Sequence, residues 1–328
     1  MSTCATASRD LDEPVAGTAA TATTWLLLEQ PGPWGAKALT SSHLDAGLGA
    51  ALEAAAKDTG VRIALIRRPG RHADSHSPVE RQVYAAHVRP DGAWLHSAVI
   101  TDPARLLDLD FAALGRGEAG SFDAELAGAE HTGAPLALVC TNGKRDRCCA
   151  LLGRPLAAEL AAAGASGTWE ITHLGGHRFS PTLLVLPYGY AYGRLDASAV
   201  KEVLTAVGDG RIVTDGCRGN SAWDRPGQAA ELAVRTTVGE QRAGALSVIS
   251  SEAVSVEVVG GEAVSSDVER GEDAAPHWQI TVAHRDGRAW AVTVAQGAAR
   301  PSRPESCGGA LGTPARMDVV AVRELAGV

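Results

Sequence analysis

The sequence predicts an α/β chain: two consecutive units of order strand, helix, strand, strand, strand, helix, followed by a mostly β C-terminal module. Three observations lead there. Short apolar runs bounded by Gly and Pro alternate with Ala- and Leu-rich helical stretches as far as residue 210. The order of these elements is the same in both units. Beyond residue 210 the texture changes to strand-like alternation around turn signals. The expected boundaries are a disordered N-terminus over 1–22, an N-terminal α/β unit over 23–130, a second α/β unit over 131–210 and a C-terminal α+β module over 211–328.

In the first unit, Thr24–Glu29 is a short apolar run stopped by Pro31, the pattern of a buried strand. Ser41 and Ser42 are the expected cap of an alanine-rich helix reaching Lys57, with Leu44, Leu48 and Leu52 on one face. Residues 61–66 form a second strand, so the strand–helix–strand order implies a right-handed parallel crossover. A polar loop over 68–78 carries His72 and His76, read as surface residues. Strands over 82–88 and 93–100 flank Asp91-Gly92, a hairpin signal that makes the pair antiparallel. A helix near 104–114 closes the unit.

The second unit repeats the order. A strand over 136–139 leads through a cysteine-containing loop to a helix over 151–163, ended by Gly164. Strands follow over 169–172, 182–186 and 190–195, and Asp196 caps a helix over 197–207. This is the thioredoxin layout, and the matching first unit suggests two related halves. In the C-terminal module, a helix over 228–238 precedes strand-like stretches over 246–265 and 278–294, with an acidic loop over 262–275 between them.

Composition bounds the function. The 328 residues are 45% hydrophobic and carry a net charge of −8, which provides no electrostatic footprint for nucleic acid or an anionic membrane. The lead-in lacks a basic segment followed by an apolar core, so export is not expected. Six cysteines at positions 4, 140, 148, 149, 217 and 307 are too few and too scattered for a disulfide framework, which suits a reducing cytoplasm.

The chemistry-bearing stretch runs from Cys140 to His177. It reads Cys140-Thr-Asn-Gly-Lys-Arg-Asp-Arg-Cys148-Cys149, then His173-Leu-Gly-Gly-His177-Arg-Phe. Thiolate and imidazole are the side chains that bind soft and borderline metals best. Cysteines at a strand end and a helix start meet loop amides, and the intervening glycines let backbone wrap a bulky inorganic group. Two cysteines and two histidines also describe structural zinc, although zinc sites usually pair cysteines two to four residues apart. A thiol redox sensor at Cys148-Cys149 or Cys140 is a third reading, weakened by the absence of Cys-x-x-Cys. Cys4, Cys217, Cys307, His87, His96, His277 and His284 lack a partner at ligand spacing and are read as ordinary packing residues.

These two motifs, with the Leu-Leu-Val-Leu-Pro-Tyr-Gly strand after them, resemble the sucrase/ferredoxin-like family, which includes a yeast actin-patch distribution protein. The resemblance covers roughly residues 22 to 225. It implies a thioredoxin-like ferredoxin domain holding a [2Fe–2S] cluster, with the cysteine ligands at Cys140 and Cys149 and the histidine ligands at His173 and His177. Cys148 is the alternate ligand if the register slips by one. Histidine in place of the second cysteine pair implies a Rieske-like, raised and pH-sensitive potential. Lys144, Arg145 and Arg178 flank these loops and are candidates to stabilise the reduced cluster or dock an acidic partner. The implied role is electron transfer between redox donor and acceptor proteins. No carboxylate pair in a motif suggestive of glycoside hydrolysis supports sucrase activity.

Overall fold

The computed structural model describes residues 3–70, 79–254, 256–259, 262–265 and 275–326. The expected surface pair His72 and His76 lies outside them. In chain order the first elements are α1 (Cys4–Asp10), β1 (Thr24–Glu29), α2 (Ala46–Ala56), β2 (Val61–Arg67), β3 (Arg81–His87) and β4 (Trp94–Ile100). They are followed by α3 (Phe111–Arg116), α4 (Gly120–Leu126) and β5 (Ala129–Glu130). The second set is β6 (Leu136–Cys140), α5 (Arg147–Ala162), β7 (Thr168–Ile171), β8 (Thr182–Leu186), β9 (Tyr190–Gly193), α6 (Ala197–Gly208) and β10 (Cys217–Asn220).

Each set forms the same four-stranded core. β1 lies parallel to β2 and antiparallel to β3, which pairs with β4. Likewise β6 lies parallel to β7 and antiparallel to β8, which pairs with β9. The spatial orders β2-β1-β3-β4 and β7-β6-β8-β9 are therefore equivalent, and both are thioredoxin-like. The halves join edge to edge where β2 meets β7 antiparallel, with Ile66 opposite Ile171 and Arg67 opposite Glu170. The result is one ten-stranded sheet whose inner edges are paired rather than exposed. At the seam the buried Arg67 guanidinium meets Glu170 at 2.7 Å, and Thr141 Oγ1 donates to the same carboxylate oxygen at 2.8 Å. This ties the seam to the residue after Cys140.

The C-terminal module begins with α7 (Arg225–Val238), capped by Asp224, which accepts from the Gly227 N–H. Beyond it lie β11 (Leu246–Val254), β12 (Val256–Val259), β13 (Glu262–Ser265), β14 (His277–His284), β15 (Ala289–Ala298), β16 (Arg303–Pro304), β17 (Leu311–Gly312) and β18 (Ala315–Glu324). Strands β11-β14-β15-β18 form a second, antiparallel sheet. Ala229, Ala230 and Val234 of α7 share one core with Ile280, Val282, Val292 and Val294 of that sheet and with Leu138 and Leu184 of the large one. The helix is thus the layer between the two sheets.

Four expectations are corrected. Residues 4–10 are a helix, not a disordered lead-in, with Cys4, Ala5 and Ser8 buried. Small side chains let this segment pack closely, and the buried Glu13 accepts from Ser8 Oγ at 2.7 Å, Arg178 Nε at 2.9 Å and Arg303 Nε at 3.0 Å. The first long helix starts at Ala46 because Asp45, not a serine, caps it by accepting from the Leu48 N–H at 2.8 Å. The helix expected over 104–114 is divided: a 3₁₀ segment Pro103–Asp108 ends at extended Leu109, and Asp110 caps α3. The acidic loop expected from 262 has its first four residues in strand β13, paired with β12, in keeping with the strand-like stretch expected over 246–265, and its residues 266–274 lie outside the described ones.

One pH effect follows from the first half. His87 is buried with Nδ1 2.9 Å from Thr24 Oγ1, and burial, with Arg89 adding to it, pushes its pKa below the ordinary value. The unfolded chain then takes up a proton first on acidification, so this contribution to stability is intact above the unfolded pKa near 6.5 and is lost as pH falls below it. His87→Gln is expected to flatten the decline in denaturation midpoint between neutral and mildly acidic pH.

Candidate metal centre

Strand β6 carries Cys140 to the C-terminal edge of the sheet, where its side chain is 1% exposed. The chain turns through Thr141–Arg145, and Asp146 caps α5 by accepting from the Cys148 N–H at 2.9 Å. Cys148 and Cys149 are therefore both in the first turn of the helix, earlier than the expected helix start. Successive helical residues point about 100° apart, and the two thiols diverge accordingly. Cys149 joins Cys140, whereas Cys148 faces Cys4 and Cys307. Gly153 permits this approach, because a Cβ there would strike the carbonyl oxygen of Cys140.

After β7 the chain enters the loop His173-Leu-Gly-Gly-His177. Gly175 and Gly176 have φ of +79° and +65°, the left-handed region where glycine carries no Cβ penalty. A Cβ at Gly176 would also meet the Arg218 guanidinium. This turn brings His173 to the cysteines: the Cys140 and Cys149 sulfurs and one His173 ring nitrogen all lie within 4.8 Å of one another. The His173 Nδ1 atom is buried and has no hydrogen-bond partner. His177 is beside the trio, its ring centroid 5.4 Å from that of His173. Its Nδ1 lies 3.1 Å from Asp146 Oδ2 and 3.8 Å from Cys4 Sγ. Three of the four expected ligands are thus in one group, with the fourth adjacent and held by the helix cap.

The electrostatics favour a thiolate here. The Cys149 thiol, with His173 adding to it, holds Cys140 well below the usual thiol range despite burial. Cys149 is pushed up, chiefly by its hydrogen bond to Cys140 and by burial. Burial also lowers His177, against the opposing pull of Asp146. Two arginines not singled out in the sequence lie close by. Arg62 donates to the His173 carbonyl at 3.0 Å. Arg218 is 0% exposed, and its hydrogen-bond partners are neutral: Thr18 Oγ1 at 3.1 Å, the Gly175 carbonyl at 3.2 Å and the Thr18 carbonyl. Burial, with Arg178 next, brings its pKa down to about 10, while the thiols of Cys140, Cys217 and Cys149 act to raise it.

Lys144 and Arg145 are exposed on the turn before α5. Arg178 is buried, paired with Glu13 at 2.9 Å and Glu305 at 3.6 Å, and its guanidinium lies 4.5 Å from the Phe179 ring centroid. It therefore ties the histidine loop to both ends of the chain.

Cys4 and Cys307 correct the reading of partnerless cysteines. Cys4, Cys148, Cys307 and Asp146 form a second group whose ligand atoms lie within 4.8 Å of one another. The hydrogen bond to Cys4, with help from Cys307, pulls Cys148 down to about 5. Positions 4, 148 and 307 are too far apart in sequence for any spacing signal. Of the histidines read as packing residues, His96 pairs with Asp123 at 2.8 Å, and His284 lies between Glu240 at 2.8 Å and Asp286 at 2.6 Å. Cys217 is buried, and burial pushes it up to about 12.

Paired thioredoxin-like halves with buried thiol and imidazole groups at a strand end define a candidate metal-binding protein. The chain belongs to the sucrase/ferredoxin-like family, whose model matches residues 15–219. That span takes in both cysteine and histidine motifs and leaves Cys4 and Cys307 outside it. No curated protein and no solved structure matches the chain. Among the described residues, no helix is long and apolar enough to cross a membrane.

Proposed function

We propose that the protein is an electron carrier with a [2Fe–2S] cluster, Cys140 and Cys149 holding one iron and His173 and His177 the other. The observation that carries this reading is the convergence of Cys140, Cys149 and His173 from three separate segments, with the buried His173 Nδ1 unpartnered. A buried ring nitrogen without a partner is costly unless something occupies it. When bound, such a cluster supplies one-electron exchange at a potential raised by its neutral imidazole ligands.

The protein's own residues do the rest. Asp146 Oδ2 holds His177 at Nδ1, which fixes the ring and leaves Nε2 as the nitrogen for iron. Arg62 and Arg218, the latter with neutral hydrogen-bond partners among the described residues, would place positive charge behind the thiolates, which favours the reduced, more negative state. Asp146 beside His177 Nδ1 would favour a proton there more strongly when the bound group is reduced, so the midpoint potential should fall as pH rises. Arg218→Met is expected to lower the potential by tens of millivolts, about 60 mV corresponding to a tenfold one-electron shift. Redox titration of wild type and variant across a pH series tests both points, and equal, pH-independent potentials would refute them. Zinc on the same residues is the rival occupant, and iron and acid-labile sulfide analysis separates the two.

A further inference from the structure

We infer that Cys4, Cys148 and Cys307, completed by Asp146, form a second and separate metal site that binds a single soft divalent cation, zinc being the one their chemistry suits. The three sulfurs come from the start of α1, the first turn of α5 and the segment after β16. They lie 3.4 Å (Cys4 to Cys148), 3.0 Å (Cys148 to Cys307) and 3.6 Å (Cys4 to Cys307) apart. Zinc–sulfur bonds of 2.3 Å arranged tetrahedrally place ligand sulfurs about 3.8 Å apart, so the triangle needs only slight opening to seat one ion. A cluster spreads its ligands over several irons and needs a wider frame.

A disulfide does not account for the group, because any pairing of three cysteines strands one of them. One tetrahedral ion uses all three. Asp146 supplies the fourth corner: its Oδ1 lies 4.0 Å from Cys4 Sγ. The carboxylate is already oriented, since Oδ1 accepts from the Cys148 N–H at 2.9 Å and Oδ2 from the Cys307 N–H at 2.9 Å. Three thiolates and a carboxylate are rich in negative charge, which a dication offsets. The site would fasten both ends of the chain over the histidine loop, and Asp146 would touch this ion while holding His177.

The Glu13 network with Ser8, Arg178 and Arg303 clamps the same two chain ends by ordinary hydrogen bonds and ion pairs. Cys4→Ser and Cys307→Ser are therefore expected to fold. The test is zinc and iron determination, with native mass spectrometry, on full-length wild type, Cys4→Ser, Cys307→Ser and Cys149→Ser purified without chelator. The expected result is zinc in the wild type, its loss by at least about tenfold in Cys4→Ser and Cys307→Ser with iron unchanged, and its retention in Cys149→Ser while iron is lost. Zinc-edge X-ray absorption of the wild type reads the site without relying on any variant folding, and should show sulfur-dominated coordination with one oxygen. A wild type free of zinc, zinc indifferent to Cys4 and Cys307, or a disulfide joining any two of the three cysteines would overturn the inference.

Discussion

Cys149→Ser is expected to lower bound iron by more than about tenfold, whereas Cys148→Ser retains it. The two cysteines are neighbours in sequence and equal in burial, at 1% and 0% exposed, so neither position nor exposure separates them. The helix does. Asp146 starts α5 in time to place both residues in its first turn, and the turn per residue sends Cys149 toward Cys140 and Cys148 toward Cys4. Serine keeps the size of each side chain but is a poor ligand for iron, so the comparison isolates ligation from packing. Measured as iron and inorganic sulfide per chain, with visible absorption, the variants should differ sharply. Equal loss in both would mean that the helix start is misplaced, and loss only in Cys148→Ser would invert the assignment.

Arg235→Met should be strongly destabilising. Arg235 and Glu231 are both 0% exposed on α7, joined at 2.6 Å, and the Tyr190 hydroxyl of β9 donates to the same carboxylate at 2.8 Å. Arg235 also donates to the Glu240 and Arg242 carbonyls at 3.0 Å each, which closes the turn after the helix. Removing the guanidinium leaves the buried Glu231 carboxylate without its counter-charge and with only the Tyr190 hydroxyl donating to it, a loss of about 3 to 5 kcal/mol. The double variant Arg235→Met with Glu231→Leu should recover part of it, because no charge is then left stranded. Denaturant unfolding of both variants checks this, and a single variant within about 1 kcal/mol of wild type would contradict it.

Much of the fold is legible in the sequence because its strands are unusually plain. Leu26-Leu27-Leu28 in β1 and Leu183-Leu184-Val185 in β8 are continuous apolar runs, as strands covered on both faces must be. Asp-Gly at 91–92 and Asp196 before α6 announce a hairpin and a cap by local chemistry. The N-terminal helix is hidden for the opposite reason. Its buried residues are Cys4, Ala5 and Ser8, too small to make an apolar stripe, and what fixes the segment is the single carboxylate of Glu13 meeting arginines 165 and 290 residues away.

The site divides in the same way. Cys140, Cys149 and His173 lie on short motifs that local spacing exposes. Arg218 lies in the strand Cys-Arg-Gly-Asn, which has no apolar pattern, and nothing nearby in sequence marks it as buried against the histidine loop. Cys307 is 303 residues from Cys4, so their meeting depends on the whole fold. The local part of each site is thus written in the chain, and the part contributed by distant segments emerges only when the halves and termini pack.

The central claim is tested most directly by spectroscopy of the anaerobically purified full-length protein. Iron and inorganic sulfide in equal amounts, and an electron paramagnetic resonance signal on one-electron reduction carrying couplings from two imidazole nitrogens, one of which is lost in His173→Ala, are the expected result. Protein that contains zinc but neither iron nor sulfide, or a reduced signal without nitrogen coupling, would contradict it.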